Sequence, residues 1–174
     1  MKIILKKIML LFLQAAIIIS LVSCNEDDSP FKTYKEYGLT YTLPKEMKVK
    51  NVEYADLCYF DGRAEVLISV FNRDLIGSAD EGGLNLNPDI SVDDYAERFI
   101  FWNDYDTEFE FDEKRNVATF FATPPEEYAS NDEYYHVITR NHDYIYVVIM
   151  CCDSDIMDEY REKFIEWGNS VSVD

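Results

Sequence analysis

The residues in this chain able to do chemistry are few. Away from the N-terminus they are three cysteines, two histidines and one loop of oxygen donors. Cys151 and Cys152 are adjacent, so in a strand they point to opposite faces and Cys58 could reach only one of them. That leaves either a Cys58 disulfide with Cys151 or Cys152 and a leftover thiol, or three buried thiols packing as small apolar groups. A metal site joining them to His136 lacks any C-x-x-C spacing. Asn85, Asn87 and Asp89 alternate as oxygen donors do around calcium, with Asp80 and Glu81 upstream. The glycine and distal glutamate of an EF-hand loop are missing, Pro88 interrupts the run, and loop solvation accounts for the composition equally well. His136 reads as a strand residue and His142 as a hairpin tip, too far apart for easy joint ligation. The chain has no G-x-S-x-G, no H-E-x-x-H and no phosphate-cradling glycine loop. With 34 acids, any chosen carboxylate pair is arbitrary. The expectation is a non-enzyme, with no catalytic residue and no cofactor.

The first 24 residues carry the strongest signal. Lys2, Lys6 and Lys7 form a positive n-region, and Ile8 to Ile19 are apolar apart from Gln14. That run is short for a bilayer span, which takes roughly 20 residues, and suits a secretory h-region. The tetrad Leu21-Val22-Ser23-Cys24 resembles the lipobox of bacterial lipoproteins. The resemblance implies a signal peptide over 1–23, diacylglycerol on the Cys24 thiol, cleavage before Cys24 and acylation of the new amine. Several acyl chains serve retention, since each buried methylene is worth about 0.8 kcal/mol and one chain holds only marginally. Asn25-Glu26-Asp27-Asp28 follows, then Ser29-Pro30. This stretch is either a solvated tether or, by resemblance, the acidic export signal of surface lipoproteins in Bacteroidetes-type bacteria. The expected address is the cell envelope: an outer-membrane lipoprotein, facing either the periplasm or the cell exterior.

Composition bounds the rest. The 174 residues are 48% hydrophobic, with 13 Tyr, 11 Phe and 2 Trp, enough for one domain with a real core and against disorder. A formal net charge of −18 argues against duplex nucleic acid, which needs clustered Lys and Arg.

The expected organisation is the signal peptide over 1–23, an acidic tether over 24–36 and a single domain over 37–174. Residues 37–43 read as a strand stopped by Pro44. Strands at 53–60 and 63–72 are joined by Asp61-Gly62, a two-residue hairpin signal. Residues 74–90 read as a long loop. Ser91 looks like a helix N-cap with Asp94 completing a capping box, and Val92, Tyr95, Phe99 and Trp102 recur at helical spacing. Strands follow at 107–112 and 116–122, and Pro124-Pro125 opens a loop. A final hairpin pairs 133–140 with 144–152 around Asn141-His142-Asp143, placing Tyr134 and Tyr135 opposite Tyr144 and Tyr146. Tyr144 to Met150 is apolar on both faces, as a central strand would be. The last helix starts near Ser154, buries Met157, Tyr160, Phe164 and Trp167, and ends at Gly168.

Hairpins outnumber crossovers, so the fold class is α+β: a mainly antiparallel sheet with helices packed on it. Gly38-Leu39-Thr40-Tyr41-Thr42-Leu43-Pro44 resembles the opening strand of PsbP/DcrB/Mog1-like α/β/α sandwich domains. The 53–72 hairpin, the helix at Ser91, the closing hairpin and Ser170-Val171-Ser172-Val173 continue that order. The resemblance implies an accessory or binding role, because members of that group act mostly so and share no catalytic residues. The leading expectation is therefore a lipid-anchored envelope protein engaging a protein partner. A surface glycan-binding lipoprotein is the alternative, a hydrolase a third. Exposed rather than buried tyrosines would favour glycan stacking.

Overall fold

A computed structural model of the chain describes residues 29–73, 87–125 and 131–174. The lipobox-like tetrad Leu21 to Cys24, Asn25 to Asp28, and Asp80, Glu81 and Asn85 of the expected long loop lie outside the described residues. Phe31–Asp174 forms one compact unit.

Among the described residues, seven antiparallel strands make the main sheet, in the order β3-β4-β5-β9-β8-β7-β6. They are β3 (Lys48–Val49), β4 (Leu57–Phe60), β5 (Ala64–Asn72), β6 (Glu110–Asp112), β7 (Val117–Ala122), β8 (Asp132–Arg140) and β9 (Tyr144–Asp153). β9 is the fourth of seven, the central place its two apolar faces predict. Tyr146, Val148 and Met150 join one core, and Ile145 and Val147 the other.

Helix α1 (Val92–Trp102) covers one face of this sheet over β7 and β8. Helix α2 (Met157–Asn169), reached through a 3-10 turn at Ser154–Ile156, covers the other face. Beside α2 stands a second, three-stranded sheet, β1-β2-β10, built from β1 (Phe31–Glu36), β2 (Leu39–Pro44) and β10 (Ser172–Val173). Leu39, Tyr41 and Leu43 point from β2 into the core shared with α2. The expected α+β sandwich is the observed fold, mainly antiparallel with one described helix on each face.

β1 is a correction. Residues 31–36, expected in the tether, pair in full register with β2, from Phe31 opposite Pro44 to Glu36 opposite Leu39. Only Phe31 and Tyr34 pack against the core, so the stretch carries too few apolar residues to announce a strand. The first hairpin strand is also shorter than expected, starting at Leu57, and β6 starts at Glu110. Ahead of β6, the Thr107 hydroxyl rather than a backbone amide donates to the Phe121 carbonyl, at 2.8 Å.

Three hairpins turn on the same local device. Asp61 Oδ1 accepts from the amides of Arg63 and Ala64, both at 2.8 Å. Asn141 Oδ1 accepts from Asp143 and Tyr144, and Asp112 Oδ1 from Lys114 and Arg115. Each side chain replaces a backbone acceptor two and three residues on. The Asp61 amide bonds to the Ala64 carbonyl, so the two-residue loop is Gly62-Arg63, one place later than expected. Gly62 takes φ +102°, which a primed turn demands and glycine allows.

Gly168 is a second correction. The helix runs on to Asn169 with Ser170 at its cap, and Gly168 lies inside the last turn without a positive φ. A Cβ there would stand 2.7 Å from Tyr135 Cε1 and 2.9 Å from Val137 Cγ2. The glycine is needed for close approach of α2 to β8.

Candidate binding surface

α1 begins as its sequence predicts. Ser91 Oγ accepts from the Asp94 amide at 3.3 Å and donates to the Asp94 carboxylate at 2.8 Å. Val92, Tyr95 and Ala96 are buried, and Phe99 packs against their core. The expected stripe then leaves the protein. Trp102 is 40% exposed and Phe101 is 81% exposed.

The end of this helix is held firmly. The Tyr105 amide bonds to the Ile100 carbonyl and the Asp104 amide to the Phe101 carbonyl, the paired bonds of a Schellman cap. Asp104 occupies the left-handed position usually given to glycine, at φ +51°. Asn103 adds its side-chain amide to the Phe99 carbonyl at 2.7 Å. Trp102 stands edge-on to buried Tyr95, with ring centroids 6.5 Å apart. The two exposed rings are thus presented by fixed backbone. Asp94, Glu97 and Arg98 share the exposed side of the helix with Phe101. Large rings in a rigid setting are the residues that dominate protein–protein interfaces.

The residues singled out from the sequence fall elsewhere. Cys58, Cys151 and Cys152 are buried, unbridged thiols. The register puts Cys58 opposite Leu67 and Cys151 opposite Glu65, so β5 stands between the β4 and β9 thiols. Burial pushes the Cys151 thiol up to about 12 and Cys152 to about 11, and raises Cys58. Such thiols stay protonated and are poor nucleophiles and poor ligands.

His136 is buried on the α1 face of β8, and neither ring nitrogen has a hydrogen-bond partner. Phe120 stacks on it at 4.6 Å, with Phe99 and Tyr105 at 5.4 Å and Tyr134 at 5.9 Å. Desolvation in this box lowers its pKa to about 3, so the ring is neutral and serves as a flat core aromatic. His142 is exposed at the hairpin tip, and the structure does not bring the two histidines together.

The calcium candidates are engaged otherwise. Asp89 accepts from Arg73 Nη2 at 2.9 Å, and Asn87 Oδ1 accepts from the Asp89 amide. Arg73 is almost fully buried, and its guanidinium also donates to the carbonyls of Pro88 and His142. A cation-binding loop would not place a guanidinium against its carboxylate. Among the described residues no cluster of three His, Cys, Asp or Glu could hold a metal.

The tyrosines of the last hairpin are corrected too. Tyr134 pairs with Cys151 and Tyr135 with Met150, whereas Tyr146 pairs with Thr139 at the other end. Tyr135 and Tyr146 are buried and Tyr134 and Tyr144 half-buried, so they make no exposed platform. The helix-end pair was missed because Trp102 fits the apolar period and Phe101 looks incidental beside it.

No family model and no curated protein matches the chain. Among solved structures it is similar to the solution structure of cyanobacterial PsbP (CyanoP) from Synechocystis, with 12% identity, a TM-score of 0.56, and coverage of 87% of this chain and 98% of that one. A weaker likeness is to the Saccharomyces cerevisiae Ran-binding protein Mog1p, with 10% identity, a TM-score of 0.48, and coverage of 82% and 95%. The PsbP likeness shows the fold.

Proposed function

We propose that this protein is a lipid-anchored accessory protein of the bacterial cell envelope, without catalytic activity, that engages a protein partner through Phe101 and Trp102. The carrying observation is a largely exposed Phe101 beside a partly exposed Trp102 on a capped, rigid helix end. Leaving two such rings in water costs apolar hydration that a partner's surface would relieve. The neutral boxed histidine and protonated buried thiols supply no nucleophile or base, which supports a binding role. The PsbP-like fold supports it as well, since members of that group act mostly as accessory or binding proteins. Carboxylates at Asp94 and Glu97 favour a partner whose contact site is apolar with a basic rim. Attachment to the outer membrane rests on the lipobox, and surface exposure on Asn25 to Asp28.

A photo-crosslinking side chain at position 101 should trap one discrete adduct in cells, and the same group at Glu166 on α2 should not. Equal labelling at both positions, or none at 101, overturns the partner surface. Metabolic palmitate should label the wild type and not Cys24→Ser. Protease access on intact cells should be lost when Glu26, Asp27 and Asp28 become Ala.

A further inference from the structure

The lysines of this acidic chain are unevenly placed. Lys32, Lys35, Lys45, Lys48 and Lys50 fall within residues 31–50, where the only acids are Glu36 and Glu46. The remainder of the domain is heavily acidic. The fold gathers most of these lysines at one end. Phe31 pairs with Pro44, so the first residue of β1 lies beside the turn leading to Lys45 and β3. There Lys45, Lys48 and Lys50 line an open groove of about 640 Å³ together with Phe60 and the carboxylates of Glu46 and Asp61. Lys45, Lys48 and Lys50 are all exposed, and Lys50 is tied to Glu65 at 2.6 Å. Between Lys48 and Lys50, Val49 is 66% exposed, and Tyr54 just beyond is 64% exposed.

We infer that this end of the domain, Lys32 with the Lys45–Lys50 edge, docks on anionic lipid headgroups. The inference rests on the membrane attachment proposed above. Two observations support the occupant. Phe31 follows Cys24 by seven residues, and covalent geometry limits that span to about 25 Å, so a chain anchored there starts its first strand within reach of the bilayer. Basic side chains around an exposed valine and tyrosine are also the composition of an interfacial surface: lysines pair with headgroup charge while apolar side chains enter the boundary. A second copy of the same chain, with its net charge of −18, would also offer carboxylates to these lysines, but it would leave the labelling described below independent of lipid. α1 packs on the opposite face of the main sheet from β1 and β2, so the Phe101 surface stays clear of this end.

The test uses the full chain purified from membranes in detergent and reconstituted into nanodiscs of phosphatidylcholine, with or without phosphatidylglycerol. Lysine acylation is read residue by residue by mass spectrometry, and intact mass reports lipid on Cys24. Each lysine near an anionic surface strengthens attachment about fivefold. Labelling of Lys45 and Lys48 should therefore fall at least that much on phosphatidylglycerol discs, with Lys114 and Lys163 unchanged. Salt at about 1 M, where screening acts beyond about 3 Å, should reverse it. In a Lys45→Glu, Lys48→Glu double variant, protection of Lys32 should vanish. Equal labelling on both discs overturns the inference and leaves the anchor standing. A chain that stays off both discs and carries no lipid overturns both.

Discussion

The imidazole of His136 lies flat on the ring of Phe120, with centroids 4.6 Å apart and planes inclined by 17°. A polar ring has been placed where only stacking is available, and the consequence is a pH-dependent stability. The folded pKa is lowered to about 3 from an ordinary 6.5. The unfolded chain therefore binds a proton first as pH falls. Stability from this residue is complete above pH 6.5 and declines through the window down to about 3, by about 2 kcal/mol at pH 5. Urea unfolding of the wild type and His136→Phe across that window should diverge by about one proton in slope. Parallel curves would show that the ring is hydrated or partnered in the native state.

Gly168→Ala should destabilise the domain. Overpacking against Tyr135 and Val137 costs about 1–3 kcal/mol, against a gain of about 1 kcal/mol in helix propensity. A lower urea midpoint is expected. A raised midpoint would mean that the Tyr135 ring can swing aside, so that propensity wins.

The three buried thiols should resist alkylation. At pH 8 the native protein should take up iodoacetamide at Cys58, Cys151 and Cys152 only as fast as it opens, and rapidly in urea. Burial holds all three above their ordinary pKa and out of reach. A disulfide in the non-reduced peptide map would contradict the observed separation of β4 and β9.

Function and stability should separate along α1. Phe101→Ser removes a ring that is 81% exposed and should change stability by less than about 0.5 kcal/mol while abolishing partner capture by a photo-crosslinking side chain moved to exposed Arg98 on the same side of the helix. Tyr95→Ala, from the same helix, should cost about 3 kcal/mol or more because it empties part of the core. Calorimetry of the two variants is sufficient. A large loss for Phe101→Ser would place that ring in the fold.

Much of this architecture is local, and local signals are legible in a sequence. The β4–β5 and β8–β9 hairpins follow from Asp61 and Asn141, whose side chains bond amides two and three residues away. The stripe Met157, Tyr160, Phe164 and Trp167 follows from the helical period, and all four are buried. The double-sided apolar run of β9 announced a central strand because both faces must be covered wherever it pairs.

Other features depended on partners distant in the chain. β1 is a strand only because β2 receives it and Tyr34 finds the rings of Tyr41 and Tyr59, with centroids 5.4 Å and 4.9 Å away. Gly168 looked like a helix stop because its real constraint, Tyr135, comes from another strand. Trp102 matched the period, yet nothing covers it beyond the edge of Tyr95, so the end of the helix carries it and Phe101 into solvent. Sequence by itself determined the hairpin turns, the buried stripe of α2 and the acidic charge, since each is written in neighbouring residues. Tertiary structure alone decided which rings stay wet, which lysines converge and which polar groups are stripped of water, because those depend on what the fold brings alongside.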